Sequence, residues 1–296
     1  MKDWILDKSV YFSFDSSGFL RHKESFDAID ESVFKDKRVL ITGGTSGIGE
    51  ALAHRLLDSG ANVLVTGRSE AKFNNSKIKD RASFYQLDLA NFENVKAFPQ
   101  HLEKIDYLVC NAGGMPEELK IINDKFDTIF ASQVVGHYLL IKSLHDSDKL
   151  NNGASVHINS SGGMYLVKLD LSDLKWQNKK YDKVASYANA KRAQVILTQE
   201  LPSLFNQYTF SCSHPGWVGT DAVKDSIPGF YKVTKDRLRN SKQGADTMYW
   251  ALASGDDLKN GGFYFDRMLK DPYPFFWTKE SPKVREQLIK LLTSQK

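Results

Sequence analysis

Short apolar segments alternate along the chain with longer stretches in which apolar residues recur at helical spacing. From Lys37 onward, segments of three or four mostly apolar residues predict buried strands at 39–42, 63–65, 84–87, 107–110, 155–158, 210–212 and 262–265. Helical spacing predicts helices at 48–57 and at about 123–147, 184–206 and 243–253. Buried strands that alternate with helices are typical of a parallel sheet covered on both faces. We therefore predict an α/β fold, a single doubly wound Rossmann-type domain whose mostly parallel seven-stranded sheet has helices on both faces.

No internal repeat or low-complexity linker divides the chain after residue 35, so this domain is expected to span 36–296. It includes a loop at 162–183 that we expect to border the substrate, and a C-terminal helix at about 281–296. Residues 1–35 form an N-terminal extension in which aromatic residues crowd together without a clear period: Trp4, Tyr11, Phe12, Phe14 and Phe19. Such a segment is expected to pack on the domain or on a partner subunit, and a peripheral membrane contact is the alternative.

The composition excludes several classes of protein. Hydrophobic residues make up 41% of the chain and aromatic residues 12%, which is too apolar for a mainly disordered protein. No apolar run approaches the ~18 residues that a transmembrane helix needs. The net charge of +4 is spread over 40 basic and 36 acidic residues and does not indicate a nucleic-acid partner. Two distant cysteines, Cys110 and Cys212, are expected to be free buried thiols, and no secretory signal is visible, so we expect a cytoplasmic protein.

A glycine-containing turn at 42–49 follows the first predicted strand directly. Glycine allows a sharp turn and lets a pyrophosphate approach the main chain, and the helix that starts near Gly47 presents free N–H groups to it. The glycine spacing differs from G-x-G-x-x-G and is not that of a P-loop. On its own, therefore, this pattern also fits a tight turn that binds nothing.

Arg68 follows the second predicted strand, where a dinucleotide-binding fold places an acidic residue for the ribose 2′-hydroxyl of NAD. A cation at this place suits the 2′-phosphate of NADP instead. We therefore predict NADP(H) in preference to NAD(H). A solvated surface arginine is the alternative interpretation.

Tyr187 and Lys191 are four residues apart in a predicted helix, so their side chains share one face. The ammonium group is expected to favour the phenolate and to lower the pKa of Tyr187, which makes the phenol a usable proton donor or acceptor. Ser160 and Ser161 end a predicted strand at the edge where such folds bind ligands. A serine hydroxyl there can bond a carbonyl oxygen as charge develops on it. Each pattern is common by chance, and neither a G-x-S-x-G elbow nor metal-ligand spacing accompanies them.

Six motifs occur in the order typical of the short-chain dehydrogenase/reductase superfamily, over about residues 36–266. They are the turn at 42–49, Asp88-Leu89, Asn111-Ala112-Gly113, Ser160-Ser161, Tyr187-x-x-x-Lys191 and the segment 215–220. The chain resembles this superfamily. Within it, segments 160–164, 187–192, 214–217 and 243–248 are similar to the group called SDR family member twelve and to the retinol-dehydrogenase-like reductases.

The resemblance implies a role for each matched position. Ser161 would bond the substrate carbonyl, Tyr187 would give its proton to the forming alkoxide, and Lys191 would bind the nicotinamide ribose. Met164, Tyr165 and Trp217 are placed at the rim of an apolar substrate pocket. Cofactor contacts are implied for Thr42, Gly43, Thr45, Ser46, Gly47, Ile48, Gly49, Arg68, Asp88, Leu89, Asn111, Ala112, Gly113, Tyr187, Lys191, Pro215, Gly216, Val218 and Thr220.

Two features depart from the pattern of many members. Gln133 stands where they carry an asparagine that holds a water in a proton relay behind the lysine, so a catalytic role of Gln133 implies a relay that is shifted or absent. The second departure is the spacing of 26 residues between Ser161 and Tyr187, about twice that of many members. The extra stretch either forms an apolar flap over the substrate or covers its own core.

We therefore predict an NADP(H)-dependent oxidoreductase that transfers hydride between the nicotinamide and an apolar carbonyl or alcohol, with no metal. The alternative is a dinucleotide-binding regulatory or scaffolding protein with little turnover, which Gln133 and the aromatic extension suggest. A nucleotide-sugar epimerase or dehydratase is a third reading, disfavoured because only about thirty residues follow Asp266. A homodimer or tetramer is an open expectation.

Overall fold

The computed structural model describes residues 10–295, with side chains from Phe12 onward. Trp4 and the side chain of Tyr11 lie outside this part. The fold is built around one large sheet. The strands are β1 Arg38–Thr42, β2 Asn62–Gly67, β3 Ser83–Gln86, β4 Ile105–Cys110, β5 Ile121–Ile122, β6 Phe126–Asp127, β7 Leu150–Asn159, β8 Thr209–Ser213, β9 Gly262–Phe265 and β10 Met268–Leu269. Eight of them form the sheet in the order β10-β9-β8-β7-β4-β1-β2-β3, and β5 pairs with β6. All neighbours in the sheet run parallel except β9 and β10. The predicted seven-stranded parallel sheet is confirmed, and a two-residue antiparallel strand extends its edge.

The helices are α1 Val10–Ser13, α2 Ser16–Lys23, α3 Gly47–Asp58, α4 Glu70–Asn74, α5 Phe92–Ala97, α6 Thr128–Phe130, α7 His137–Asp146, α8 Lys183–Leu204, α9 Asp221–Ser226, α10 Pro228–Thr234, α11 Ser241–Ser254 and α12 Pro282–Thr293. A π-helix, Ala131–Gly136, joins α6 to α7. Short 3-10 turns lie at Glu31–Phe34, Phe98–His101, Gly162–Leu166, Gly255–Asp257 and Phe276–Thr278. Within residues 10–295, no helix is both long enough and apolar enough to cross a membrane.

The helix predicted at about 123–147 begins at Thr128 instead. Asn123 and Asp124 adopt positive φ angles of 49° and 53°, which no helix tolerates, and they form the turn between β5 and β6. Asp127 then caps the helix by accepting hydrogen bonds from the main-chain N–H groups of Ile129 and Phe130. The hairpin and the cap together set the start of α6.

Alternate residues of the central strands pack on opposite faces of the sheet. Leu40 of β1 belongs to a core shared with Val95 of α5 and Val195 of α8, whereas Val39 belongs to a core shared with Leu52 of α3. Helices therefore cover both faces, and this layering brings the carboxyl ends of β1, β2, β4, β7 and β8 to one open edge. Burying each large apolar side chain contributes about 1.5–3 kcal/mol.

The described part of the N-terminal extension packs on the domain. Phe14 and Phe19 are buried, with 7% and 5% of their surface exposed. The main-chain N–H of Ser16 donates to the oxygen of Arg237 at 2.9 Å. Asp15 caps α2 and forms an ion pair with Arg237. These contacts place the segment against the connection that follows β8.

Candidate active site

The turn between β1 and α3 forms a cradle at the carboxyl edge of the sheet. Gly43 and Gly47 adopt φ angles of 66° and 59°, where glycine is favoured. A Cβ at Gly49 would lie 2.3 Å from the main-chain oxygen of Gly43, so a side chain there would disrupt the turn. Ser46 precedes α3 without capping it through its side chain, which leaves the first N–H groups of the helix available to a phosphate. This turn therefore fits the pyrophosphate of a dinucleotide.

Thr42 and Asn111 hold the cradle in position. The buried Thr42 hydroxyl oxygen accepts hydrogen bonds from the main-chain N–H groups of Asn111 and Ala112 at 2.9 and 3.0 Å. The Asn111 amide donates to the main-chain oxygens of Thr42 and Gly43, and it accepts from Asn159 at 2.9 Å. These two residues thus tie the ends of β1, β4 and β7 together.

The other positions assigned to the cofactor lie around the cradle. Arg68 is exposed and directly follows Gly67, where a Cβ would lie 3.1 Å from the Thr45 methyl carbon. Ile48 packs towards α11, where a Cβ at Gly244 would lie 3.4 Å from it. Asp88 is exposed, while Leu89 is buried against Gly136.

The segment 215–220 crosses from the N-terminal extension to the cradle. Gly216 has a φ of 76°, and a Cβ there would lie 2.4 Å from Arg239 Nε. Val218 forms a parallel bridge with Arg239. Thr220 caps α9, and its Cγ2 lies 3.3 Å from the position of a Cβ at Gly47. The segment can therefore contact a ligand held in the cradle.

Ser161, Tyr187 and Lys191 come together at the end of β7. Asp182 caps α8 by accepting from Val184 and Ala185, and α8 then presents Tyr187 and Lys191 on one face. Lys191 Nζ lies 5.3 Å from the centre of the Tyr187 ring. The Ser161 hydroxyl lies close enough to the Tyr187 phenol to act on it, and its effect is to lower the pKa of Tyr187.

The two neighbouring serines have different surroundings. Ser160 is buried, and its hydroxyl donates to the main-chain oxygen of Lys191 at 2.9 Å. Ser161 is half-buried, and its hydroxyl accepts from the Gly163 N–H at 3.3 Å. Ser160 therefore fastens β7 to α8, while Ser161 faces the phenol.

The pKa values at this site are governed by burial. Burial raises the pKa of Tyr187 above its ordinary value of 10, and the nearby Ser161 hydroxyl only partly opposes this. Burial lowers the pKa of Lys191 to about 8. For the protein without bound cofactor, the prediction of a lowered pKa for Tyr187 is therefore wrong. Desolvation disfavours both the Tyr187 phenolate and the Lys191 ammonium. At neutral pH the phenol keeps its proton.

Gln133 lies in the π-helix beside this group. Its Nε2 donates to the main-chain oxygen of Gly114 at 2.8 Å. Its Oε1 is buried and has no hydrogen-bond partner among residues 10–295. A Cβ at Gly113 would lie 3.0 Å from Gln133 Oε1 and 3.6 Å from Lys191 Nζ. Glycine at position 113 therefore keeps the space between these two side chains open.

The loop after Ser161 both covers the core and exposes an apolar side chain. Met164 is fully buried, and Leu169 and Leu174 are also buried in the core. Leu166, by contrast, has 72% of its surface exposed. The prediction that Met164 lies at the pocket rim is therefore wrong, because its side chain fills the core beneath the turn. Tyr165 is half-buried, and its place at a pocket rim stays a prediction.

The site and the fold agree with comparisons to known proteins. A family model described as short chain dehydrogenase matches residues 37–171. The human protein named Dehydrogenase/reductase SDR family member 12 is 32% identical over 266 residues, which cover 86% of this chain and 84% of that protein. The chain is a member of the short-chain dehydrogenase/reductase family. The predicted family and oxidoreductase class are confirmed.

Other members of the family support this assignment. Retinol dehydrogenase 13 of Mus musculus is 31% identical over 265 residues, covering 80% of this chain and 78% of that protein. The resemblance to SDR family member twelve and to retinol dehydrogenases is thus also confirmed. A short chain dehydrogenase from Burkholderia cenocepacia, solved in complex with NADP, superposes with a TM-score of 0.62 at 22% identity, covering 78% of this chain and 96% of that one. This last likeness shows the fold.

Sequence reasoning missed one wall of the site in this short-chain dehydrogenase/reductase. The Phe14 ring lies 4.5 Å from the His214 ring and 6.1 Å from that of Trp217, between ring centres. A Cβ at Gly162 would lie 2.7 Å from Phe14 Cε2, directly after Ser161. The main-chain N–H of Trp217 donates to the main-chain oxygen of Phe14 at 2.8 Å. The N-terminal extension thus supports the turn that carries Ser161, and its aromatic content was the only sequence signal.

Proposed function

We propose that this short-chain dehydrogenase/reductase interconverts an apolar carbonyl compound and its alcohol, with NADP(H) as the hydride carrier. The observation that carries the proposal is the meeting of Ser161, Tyr187 and Lys191 beside the glycine cradle. When bound, NADP(H) supplies or accepts the hydride. The protein supplies the proton and the positions of the reacting groups.

In the direction of reduction, the Ser161 hydroxyl donates a hydrogen bond to the substrate carbonyl oxygen. The carbonyl carbon gains the hydride, and the oxygen takes the proton of the Tyr187 hydroxyl. Because burial raises the pKa of Tyr187, the phenol holds this proton until negative charge develops on the substrate oxygen. The Lys191 ammonium, 5.3 Å from the ring centre, stabilises the phenolate that remains. In oxidation the same groups act in reverse.

The preference for NADP(H) rests on Arg68. Its side chain is exposed at the end of β2, next to the residue that packs on Thr45 of the cradle. A guanidinium group there can bind the 2′-phosphate with two parallel hydrogen bonds. An acidic residue suited to the 2′-hydroxyl of NAD does not stand at this position.

The apolar substrate class rests on the side chains around Ser161. Tyr165 and Trp217 are half-buried there, and Leu166 is exposed. Phe14 lies behind Tyr165 and Trp217, with ring-centre distances of 6.0 and 6.1 Å. Aromatic and aliphatic surfaces next to a few polar groups are typical of pockets for hydrophobic small molecules.

The experiment that tests this function follows NADPH absorbance with purified protein and a panel of carbonyl compounds of increasing apolar chain length. We expect oxidation of NADPH that increases with chain length, and slower oxidation of NADH. The alternative, a dinucleotide-binding protein without turnover, is not favoured by the relatives, which are named as dehydrogenases. NADPH that binds but is never oxidised across the panel would revive that alternative.

A further inference from the structure

Lys191 is a buried cation whose hydrogen bonds are made inside the protein. Only 3% of its surface is exposed. Its Nζ donates to the main-chain oxygen of Asn159 at 2.9 Å and to Gln194 Oε1 at 3.0 Å. A buried ammonium group needs such acceptors, because it has lost its hydration. The position of Nζ therefore depends on these two oxygens.

Gln194 connects Lys191 to the π-helix. It lies three residues after Lys191 on α8, so the two side chains share a face, and it is fully buried. While its Oε1 accepts from Lys191, its Nε2 donates to the main-chain oxygen of Gln133 at 2.7 Å. One planar amide thus bridges the ammonium group and the backbone of the neighbouring helix.

The Gln133 oxygen is itself held in place. The imidazole Nδ1 of His137 lies 2.9 Å from it, and His137 Nε2 lies 3.0 Å from the Thr42 hydroxyl. Burial lowers the pKa of His137 to about 3, so the ring is neutral and its Nδ1–H donates to Gln133. The chain of contacts from Thr42 of β1 to Lys191 of α8 is therefore continuous.

We propose that Gln194 is the residue that positions Lys191 for the proposed reaction, through the acceptor oxygen that it presents to Nζ. The inference rests on the proposed function. An amide accepts at its oxygen and donates at its nitrogen, so the hydrogen bond from Nε2 to the Gln133 oxygen fixes Oε1 as the atom that faces Lys191.

Two substitutions and a control test this role. Gln194→Leu removes one of the two hydrogen-bond acceptors of Lys191 at similar volume. Gln194→Glu keeps an acceptor oxygen, adds negative charge and is nearly isosteric, so it remains informative if the leucine variant does not fold. Thr198→Val is the matched control, because it deletes another buried polar group one turn further along α8, where Thr198 Oγ1 donates to the Gln194 main-chain oxygen.

The primary measurement is the titration of Lys191 by NMR, in protein labelled with ¹³C at the lysine Cε and without cofactor. The signal is assigned by its loss in Lys191→Met. The titratable groups that face Lys191 are Tyr187 on α8, Cys110 on β4, Cys212 on β8 and His137 on α7. Burial raises the thiol and phenol pKa values and lowers that of His137, so all four groups stay neutral around pH 8.

We expect a Lys191 midpoint near pH 8 in the wild type and in Thr198→Val. It moves down by roughly one pH unit in Gln194→Leu and up in Gln194→Glu. In turnover assays we expect kcat to fall roughly tenfold or more in Gln194→Leu, with the alkaline limb of kcat/KM moving with the midpoint. Unmoved midpoints in both Gln194 variants would overturn the proposal. A wild type without turnover, but with the expected midpoints, would overturn the proposed function and leave the positioning role standing.

Discussion

Arg239 donates hydrogen bonds to both carboxylate oxygens of Asp266, and the N-terminal extension lies directly over this buried pair. Both side chains have at most 1% of their surface exposed. Arg239 also donates to the main-chain oxygens of Ser13, Phe14 and Asp15 at 3.0–3.1 Å. The ion pair therefore anchors the segment that supports the Ser161 turn.

Removing the charge of Asp266 is expected to destabilise the protein strongly. Asp266→Asn leaves the Arg239 guanidinium buried without a counter-charge, and we expect the free energy of unfolding to fall by about 3–5 kcal/mol. Urea unfolding followed by circular dichroism measures this. The exposed pair Lys142–Asp146 provides the control, since Lys142→Ala should cost about 1 kcal/mol or less. Equal losses in the two variants would show that the buried pair is not an anchor.

The same pair predicts how stability depends on pH. Burial alone would raise the pKa of Asp266, but hydrogen bonds from His22 and Arg239 and the guanidinium charge outweigh it and hold the pKa below 3.8. The stabilisation is therefore complete above the unfolded pKa and is lost as the pH falls below about 4 towards the folded pKa. We expect a shallower acid dependence of the free energy of unfolding in Asp266→Asn than in the wild type.

Phe14 is expected to affect substrate binding more than chemistry. Phe14→Leu keeps most of the volume but loses the ring contacts with His214 and Trp217, so the KM for apolar substrates should rise several-fold while kcat changes little. Phe19→Leu is the matched control, because Phe19 is buried in the same segment but contacts Phe26. If both variants raise KM equally, the effect comes from the segment as a whole and not from the Phe14 wall.

Arg68 is expected to select the cofactor. Arg68→Gln removes a charged hydrogen-bond donor for the 2′-phosphate, a contribution of about 1.5–3 kcal/mol, so kcat/KM for NADPH should fall roughly 10- to 100-fold. The value for NADH should stay the same. Arg81→Gln, which removes an exposed arginine paired with Asp58, should change neither. An equal fall for both cofactors in Arg68→Gln would refute the selection.

A methyl group at position 113 is expected to disturb the lysine. It would lie 3.0 Å from Gln133 Oε1 and 3.6 Å from Lys191 Nζ, so one of these side chains must shift. We expect Gly113→Ala to lower kcat about tenfold, since small misplacements of catalytic groups are costly. At Gly114 a Cβ meets nothing within 4 Å, so Gly114→Ala is the control. Equal kcat values in the two variants would contradict the expected crowding.

The sequence predicts the sheet and the meeting of the matched motifs because both follow from local rules. Apolar runs predict strands, and loops at the carboxyl ends of parallel strands share one edge. The anchor of the N-terminal extension could not be predicted in this way. Phe14 and Arg239 are 225 residues apart, and a buried Arg–Asp pair leaves no periodic signal. Phe14 and His214 are likewise far apart in the sequence, and only folding brings their rings into contact.

Other features of the site depend on burial, which a sequence does not display. Lys191 lies four residues after Tyr187, and this spacing suggests a lowered phenol pKa, but the enclosure of both groups reverses the shift. The family resemblance places Met164, three residues after Ser161, at a pocket rim, yet its side chain turns into the core. The contact between Gln194 and Lys191 could have been predicted from the sequence, because their spacing of three residues places both side chains on one helix face.

The most direct test of the proposed mechanism compares wild type and Tyr187→Phe with NADPH and an apolar ketone or aldehyde. The substitution deletes only the hydroxyl that donates the proton. We expect the variant to bind NADPH with unchanged affinity, measured by fluorescence, and to lose turnover almost completely, measured by NADPH absorbance. Turnover in Tyr187→Phe equal to that of the wild type would contradict the assignment of Tyr187 as the proton donor.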